Sequence, residues 1–138
     1  MSETNRPVQV DIMRSQLGRA RGLGAAKSGV AHWWAQRVTA VALVPLSLWF
    51  ICAALRLVGA SHAEMLAWIG GPVPVVLLIA LVLATFYHLA LGLQVVIEDY
   101  VPGEVTRLAT LLVIKGVIVL LTLACLVSIL KLSLNPGL

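Results

Sequence analysis

Residues 73–97 read VPVVLLIALVLATFYHLALGLQVVI, 25 positions without one Asp, Glu, Lys or Arg and with a single histidine, His88. Crossing the hydrocarbon core of a bilayer takes about 20 residues of helix. In hydrocarbon a helix satisfies every backbone polar group within one segment, so a run of this length predicts a membrane-spanning α-helix. Two further runs of spanning length flank it, from about Val38 to Val58 and from about Leu108 to Leu132. Pro45 interrupts the first, where a kink is expected and tolerated. No window alternates as a barrel strand does. The fold class is an all-α integral membrane protein with three transmembrane helices.

Composition agrees with the pattern. Of 138 residues, 60% are hydrophobic and 12% charged, against about 25% charged in an ordinary soluble domain. The net charge of +4 matters less than its placement: six of the ten Lys and Arg residues (Arg6, Arg14, Arg19, Arg21, Lys27, Arg37) precede the first apolar run. Only Glu3 and Asp11 oppose them there. A basic head on an apolar body argues for a bilayer partner and against nucleic acid. By the positive-inside rule it also predicts a cytoplasmic N-terminus, and three crossings then bring the C-terminus to the periplasmic side of a bacterial inner membrane. Residues 1–27 read as a basic polar arm and residues 28–138 as a three-helix anchor. The arm's Gly18, Gly22 and Gly24 lack the strand and spacing of a phosphate loop, and the arm lacks the apolar centre of a secretory signal.

Cys52 and Cys125 lie singly in apolar stretches, which argues against a disulfide framework, a zinc site and the thiolate set of an iron–sulfur cluster. Between the first two spans, Ser61-His62-Ala63-Glu64 has the form of a capping box, predicting a short helix through Trp68 that ends at Gly70-Gly71-Pro72. The link from Glu98 to Arg107 carries Pro102-Gly103, a turn signal.

The exceptions to apolarity carry the chemistry. An ionisable residue at membrane depth is costly, so His88 is a candidate functional residue. Its imidazole either bonds a neighbouring helix or ligates haem iron. Ala84, His88, Gly92, Val95 and Asp99 share one stripe of the helix. Small residues one turn either side of His88 suit close approach of a flat macrocycle, or equally a packing seam. One chain supplies one deep histidine, so a six-coordinate haem takes its second ligand from another subunit. In the cluster Glu98-Asp99-Tyr100, Asp99 and Tyr100 lie about 16–18 Å further along the helix. Reducing a quinone takes two electrons and two protons, and a phenol beside carboxylates at the bilayer edge offers a donor and titratable groups. The same three residues also suit an interfacial anchor. Trp33 and Trp34 fit the aromatic belt, and Arg37 either snorkels or pairs with a buried anion such as a haem propionate. Lys115, inside the third run, is expected to reach the interface. His62 reads as a solvated loop residue and Arg56 as a snorkelling anchor.

Two segments, Lys27 through Ala40 (KSGVAHWWAQRVTA) and His88 through Tyr100 (HLALGLQVVIEDY), resemble the hydrophobic membrane-anchor subunit of succinate dehydrogenase, respiratory complex II, of the proteobacterial and mitochondrial type. With three spans in matching order, the likeness covers nearly all of the chain after the arm. The resemblance implies a helical bundle that is shared with a second membrane anchor, of cytochrome b type, and that binds haem b. It also implies docking of a flavoprotein and an iron–sulfur protein. His88 matches the axial haem ligand, Tyr100 and its neighbour Asp99 match the quinone-contacting pair, and Arg37 matches the arginine near the haem propionates. Gly92 joins the haem-facing stripe. Ubiquinone or another quinone is the implied substrate. The chain has no residues for flavin or iron–sulfur chemistry, so dicarboxylate oxidation belongs to other subunits. The alternatives are a small helical proton or ion transporter without haem, with His88 and Asp99 on its path, and a cofactor-free scaffold.

Overall fold

A computed structural model of the chain describes residues 27–134. Four helices follow in order: α1 (Lys27–Arg56), α2 (His62–Ile69), α3 (Pro72–Tyr100) and α4 (Glu104–Leu134). Residues Gly29–Arg56, Pro72–Tyr100 and Glu104–Leu134, of 28, 29 and 31 residues, are long and apolar enough to cross a membrane. At 1.5 Å per residue each is roughly 42–46 Å long, more than the ~30 Å hydrocarbon core. The apolar runs 38–58, 73–97 and 108–132 form the middles of these helices, and backbone hydrogen bonding carries most of their ends further. The basic arm lies outside the described residues except for Lys27, which opens α1. The compact unit begins at His32, and the contacts below fall within it.

Two boundaries differ from the sequence expectation for identifiable reasons. The first apolar run extends to Val58, but α1 stops at Arg56. There Ala60 N–H turns back to the Leu57 carbonyl at 3.0 Å, and Gly59 takes φ +83°, a left-handed conformation that costs glycine little. The link expected over Glu98–Arg107 contracts to Val101–Gly103, because α3 persists to Tyr100 and α4 begins at Glu104. Pro102 cannot extend a hydrogen-bonded helix, and Gly103 at φ +87° reverses the chain. So short a turn makes α3 and α4 antiparallel neighbours, packed along each other, with α2 touching both. Pro45 does not end α1, which runs through it as one helix.

The capping box forms as its residues predict. Ser61 N–H donates to Glu64 Oε2 at 2.7 Å, the Ser61 hydroxyl donates to the same oxygen at 2.8 Å, and Glu64 N–H donates to Ser61 Oγ at 3.3 Å. Donation from the Ser61 backbone, then from its hydroxyl, holds the Glu64 carboxyl below the usual carboxylate range. A carboxyl with a depressed pKa stabilises the fold above its unfolded pKa, and that contribution is lost as pH falls through the folded value. The start of α2 is therefore expected to stay ordered through the ordinary carboxylate range and to fray only in stronger acid. Amide exchange of residues 62–66 against pH tests this; Ser61→Ala should speed that exchange about fivefold at neutral pH.

The interior is thin. Ala53, Leu91, Ile97 and Ile118 are the buried apolar side chains among the described residues, and Thr39 is the one buried polar side chain. Val41, Val73 and Val113, one on each spanning helix, remain 72%, 64% and 65% exposed. Contiguous apolar surface of this kind belongs against lipid or partner helices, not water. α1 joins the other helices through side chains more than by close backbone approach. Trp49 of α1 stacks on Trp68 of α2, with ring centroids 6.0 Å apart and 22° between planes.

Candidate functional site

The second attachment of α1 is polar and centres on His88. His88 Nδ1 lies 2.9 Å from Thr39 Oγ1, and its Nε2 lies 3.4 Å from Gln36 Nε2. His88 is half-buried, and Thr39 is 9% exposed. On α1, His32, Gln36 and Thr39 stand at i, i+4 and i+7, so helical geometry puts them on one face. That face meets α3 at His88 and Gly92: a Cβ built on Gly92 would lie 3.6 Å from Gln36 Nε2, an ordinary van der Waals contact. Two atoms of this cluster, His32 Nε2 and Gln36 Oε1, are buried without a hydrogen-bond partner among the described residues. Groups of that kind cost free energy unless something satisfies them.

The Thr39 hydroxyl is 2.8 Å from the Ala35 carbonyl oxygen and 3.1 Å from that of Gln36. Its single proton belongs in that pair of contacts, since without it three oxygens would meet at hydrogen-bond distance with no hydrogen between them. Oγ1 then presents a lone pair to His88 Nδ1, which donates. The resulting tautomer carries its hydrogen on Nδ1 and leaves Nε2 with a free lone pair, the state of a metal-ligating imidazole. Gln36 Nε2, an amide donor, faces that same lone pair.

The other expected site residues sit apart from this cluster. Asp99 and Tyr100 occupy the last turn of α3, both exposed, with Tyr100 81% accessible. Neither makes a side-chain hydrogen bond among the described residues, whereas the neighbouring Glu98 accepts from Gln94 Nε2 at 2.8 Å. Tyr100 follows His88 by 12 positions on the same helix, roughly 18 Å along its axis. Arg37 is exposed, and its guanidinium lies 5.1 Å from the centroid of the Trp33 ring, a cation–π contact. Lys115 is exposed and lines an open groove of about 360 Å³ between α3 and α4, with Tyr87, Gln94 and Thr122 among its other walls. Thr39 and Gln36 are the His88 contacts that sequence reasoning alone misses. The 32/36/39 polar stripe on an otherwise apolar span is the available signal.

The described residues thus include three apolar helices of membrane-spanning length, a histidine midway along α3 held against α1, and a phenol and a carboxylate without side-chain hydrogen bonds at the end of α3. Known proteins resemble the sequence. The family described as succinate dehydrogenase/fumarate reductase transmembrane subunit matches residues 11–125, and the chain belongs to that family. It is 34% identical over 117 residues to the succinate dehydrogenase hydrophobic membrane anchor subunit of Rickettsia bellii, covering 84% of this chain and 93% of that one. To the protein of the same name in Paracoccus denitrificans it is 36% identical over 90 residues, 65% of this chain and 70% of that one. To the succinate dehydrogenase membrane anchor subunit of Reclinomonas americana it is 30% identical over 93 residues, 64% of this chain and 77% of that one. No solved structure matches.

Proposed function

We propose that the chain is a membrane-anchor subunit of succinate dehydrogenase that contributes one axial ligand to a haem b and part of a quinone-reduction site. The observation that carries the reading is the His88 ring in the middle of an apolar helix, tethered through Nδ1 to Thr39. Its Nε2 lone pair now meets the Gln36 amide at 3.4 Å and would take iron once that side chain turns aside. A haem bound there supplies one-electron storage close to the quinone. The residues present fit such a group: His88 Nε2 would be its ligand, and Ala84 and Gly92 keep that stripe of α3 free of bulk. The buried, unpartnered His32 Nε2 and Gln36 Oε1 are groups that a polar substituent or water could satisfy. Arg37 would pair with a haem propionate on leaving its contact with Trp33, and the second ligand would come from the partner membrane anchor, a cytochrome b-type protein.

At the other end of α3, Tyr100 donates its phenolic hydrogen to a quinone carbonyl oxygen, and Asp99 takes up and releases protons at the water boundary. Electrons reach the quinone from the iron–sulfur protein, which docks with the flavoprotein on the cytoplasmic side where the basic arm begins. On this reading succinate oxidation belongs to the flavoprotein and the iron–sulfur protein, and this chain takes part in quinone reduction only. The transporter reading finds less support, because the hydroxyls that would line a path in α1 and α4 are spent locally. Ser47 donates to the Leu43 carbonyl, and Ser128 to that of Ala124 at 2.8 Å.

The test is purification of the tagged chain from native inner membranes in mild detergent. A flavoprotein and an iron–sulfur protein are expected to co-purify, with succinate-dependent quinone reduction and a low-spin b-type haem spectrum. A chain recovered without either soluble protein, or a complex without haem, would sink the corresponding half of the reading.

A further inference from the structure

We infer that Thr39 is the positioning residue for His88: its hydroxyl fixes the imidazole tautomer and rotation, so that Nε2 and not Nδ1 becomes the iron ligand. The inference rests on the haem reading above and goes beyond it, since it assigns a role on α1 to a residue that touches neither iron nor quinone.

Three observations converge. Thr39 is the one buried polar side chain among the described residues, and burial of a hydroxyl is tolerated when its hydrogen bonds are complete. Those bonds are complete here: Oγ1 donates along its own helix, to the Ala35 carbonyl at 2.8 Å, and receives His88 Nδ1–H at 2.9 Å. The carbonyl fixes the hydroxyl's direction, and the hydroxyl fixes the ring's, so the constraint runs from the α1 backbone to the imidazole through two short bonds. The Gln36 side-chain amide also faces Nε2, at 3.4 Å, and its N–H donates to the lone pair that this tautomer leaves on Nε2. Histidine ligands generally donate their second ring N–H to an acceptor of this kind, and losing that acceptor costs about 10- to 100-fold in affinity for the bound centre. Donation from Nδ1 also makes the imidazole a stronger electron donor, which favours ferric over ferrous iron.

Thr39→Val keeps the β-branched shape and removes the acceptor, whereas Thr39→Ser keeps the hydroxyl. In the purified complex, Thr39→Val should retain haem about 10- to 100-fold less tightly. The haem that remains should have a raised midpoint potential and altered low-spin electron paramagnetic resonance g-values. Thr39→Ser should restore all three towards the parent. Succinate oxidation with a soluble artificial acceptor, measured in parallel, should be unchanged and reports intact assembly. Thr39→Val with parental retention, potential and g-values would overturn the inference while leaving the haem reading standing, provided His88→Ala loses haem. Full haem in His88→Ala would overturn the haem reading itself, and the role of Thr39 with it.

Discussion

His88→Ala is expected to abolish the b-type haem spectrum of the purified complex. The imidazole is the ligand proposed above, and no other side chain on its stripe of α3 can replace it: Ala84 and Gly92 carry no donor atoms, and Asp99 lies a further 11 residues along. Truncation has a second consequence, because it leaves Thr39 Oγ1 without its partner on α3. A buried group so orphaned costs about 1–3 kcal/mol, so part of any loss of activity would come from a loosened α1. Haem is therefore to be measured per flavin in intact complex, which separates loss of ligand from loss of protein. A His88→Ala complex with its full complement of haem would remove the cofactor assignment.

The second large effect is expected at the other end of α3. In Tyr100→Phe, quinone reduction by succinate should fall roughly tenfold to a hundredfold, the range expected for losing a hydrogen bond to an oxygen that gains charge during reaction. Succinate oxidation with a soluble acceptor should be unaffected, because the proposed function assigns that reaction to other subunits. The substitution removes one oxygen from a side chain that is 81% exposed, so folding of the chain itself has little reason to suffer. Quinone reduction at the parental rate in Tyr100→Phe would remove the phenol from the site. Equal loss of both activities would mark a failure of assembly and count against the separation of roles.

How much of this is readable from residues alone differs by length scale. The spanning helices are, because hydrocarbon demands unbroken apolar runs and the charges sit mainly at their edges. The capping box is too, since Ser61 and Glu64 are three positions apart and their bonds are local. Helix ends are less accessible: Val58 and the stretch from Glu98 to Arg107 are decided by where a backbone runs out of partners, at Gly59 and Gly103, and not by polarity. The meeting of α1 with α3 is the least accessible. His88 stands out as an ionisable residue in an apolar run, but its partners Thr39 and Gln36 lie 49 and 52 positions away. Threonine in a spanning helix is ordinarily absorbed by its own backbone, as Thr110 and Thr122 are in α4. Only the packing reveals that Thr39 has a second lone pair to offer.

The two attachments of α1 together decide more than its position. Thr39 fastens it to α3, and Trp49, ten residues on, fastens it to α2. At about 100° per residue those points are about 80° apart around the axis and roughly 15 Å apart along it. A rod fastened at a single azimuth can roll about its own axis; one fastened at two cannot, because any roll that relieves one contact strains the other. α1 is thereby clocked, and the faces it turns outward are set even though its backbone stays well clear of its neighbours. Cutting either fastening converts it into a lever hinged at the other.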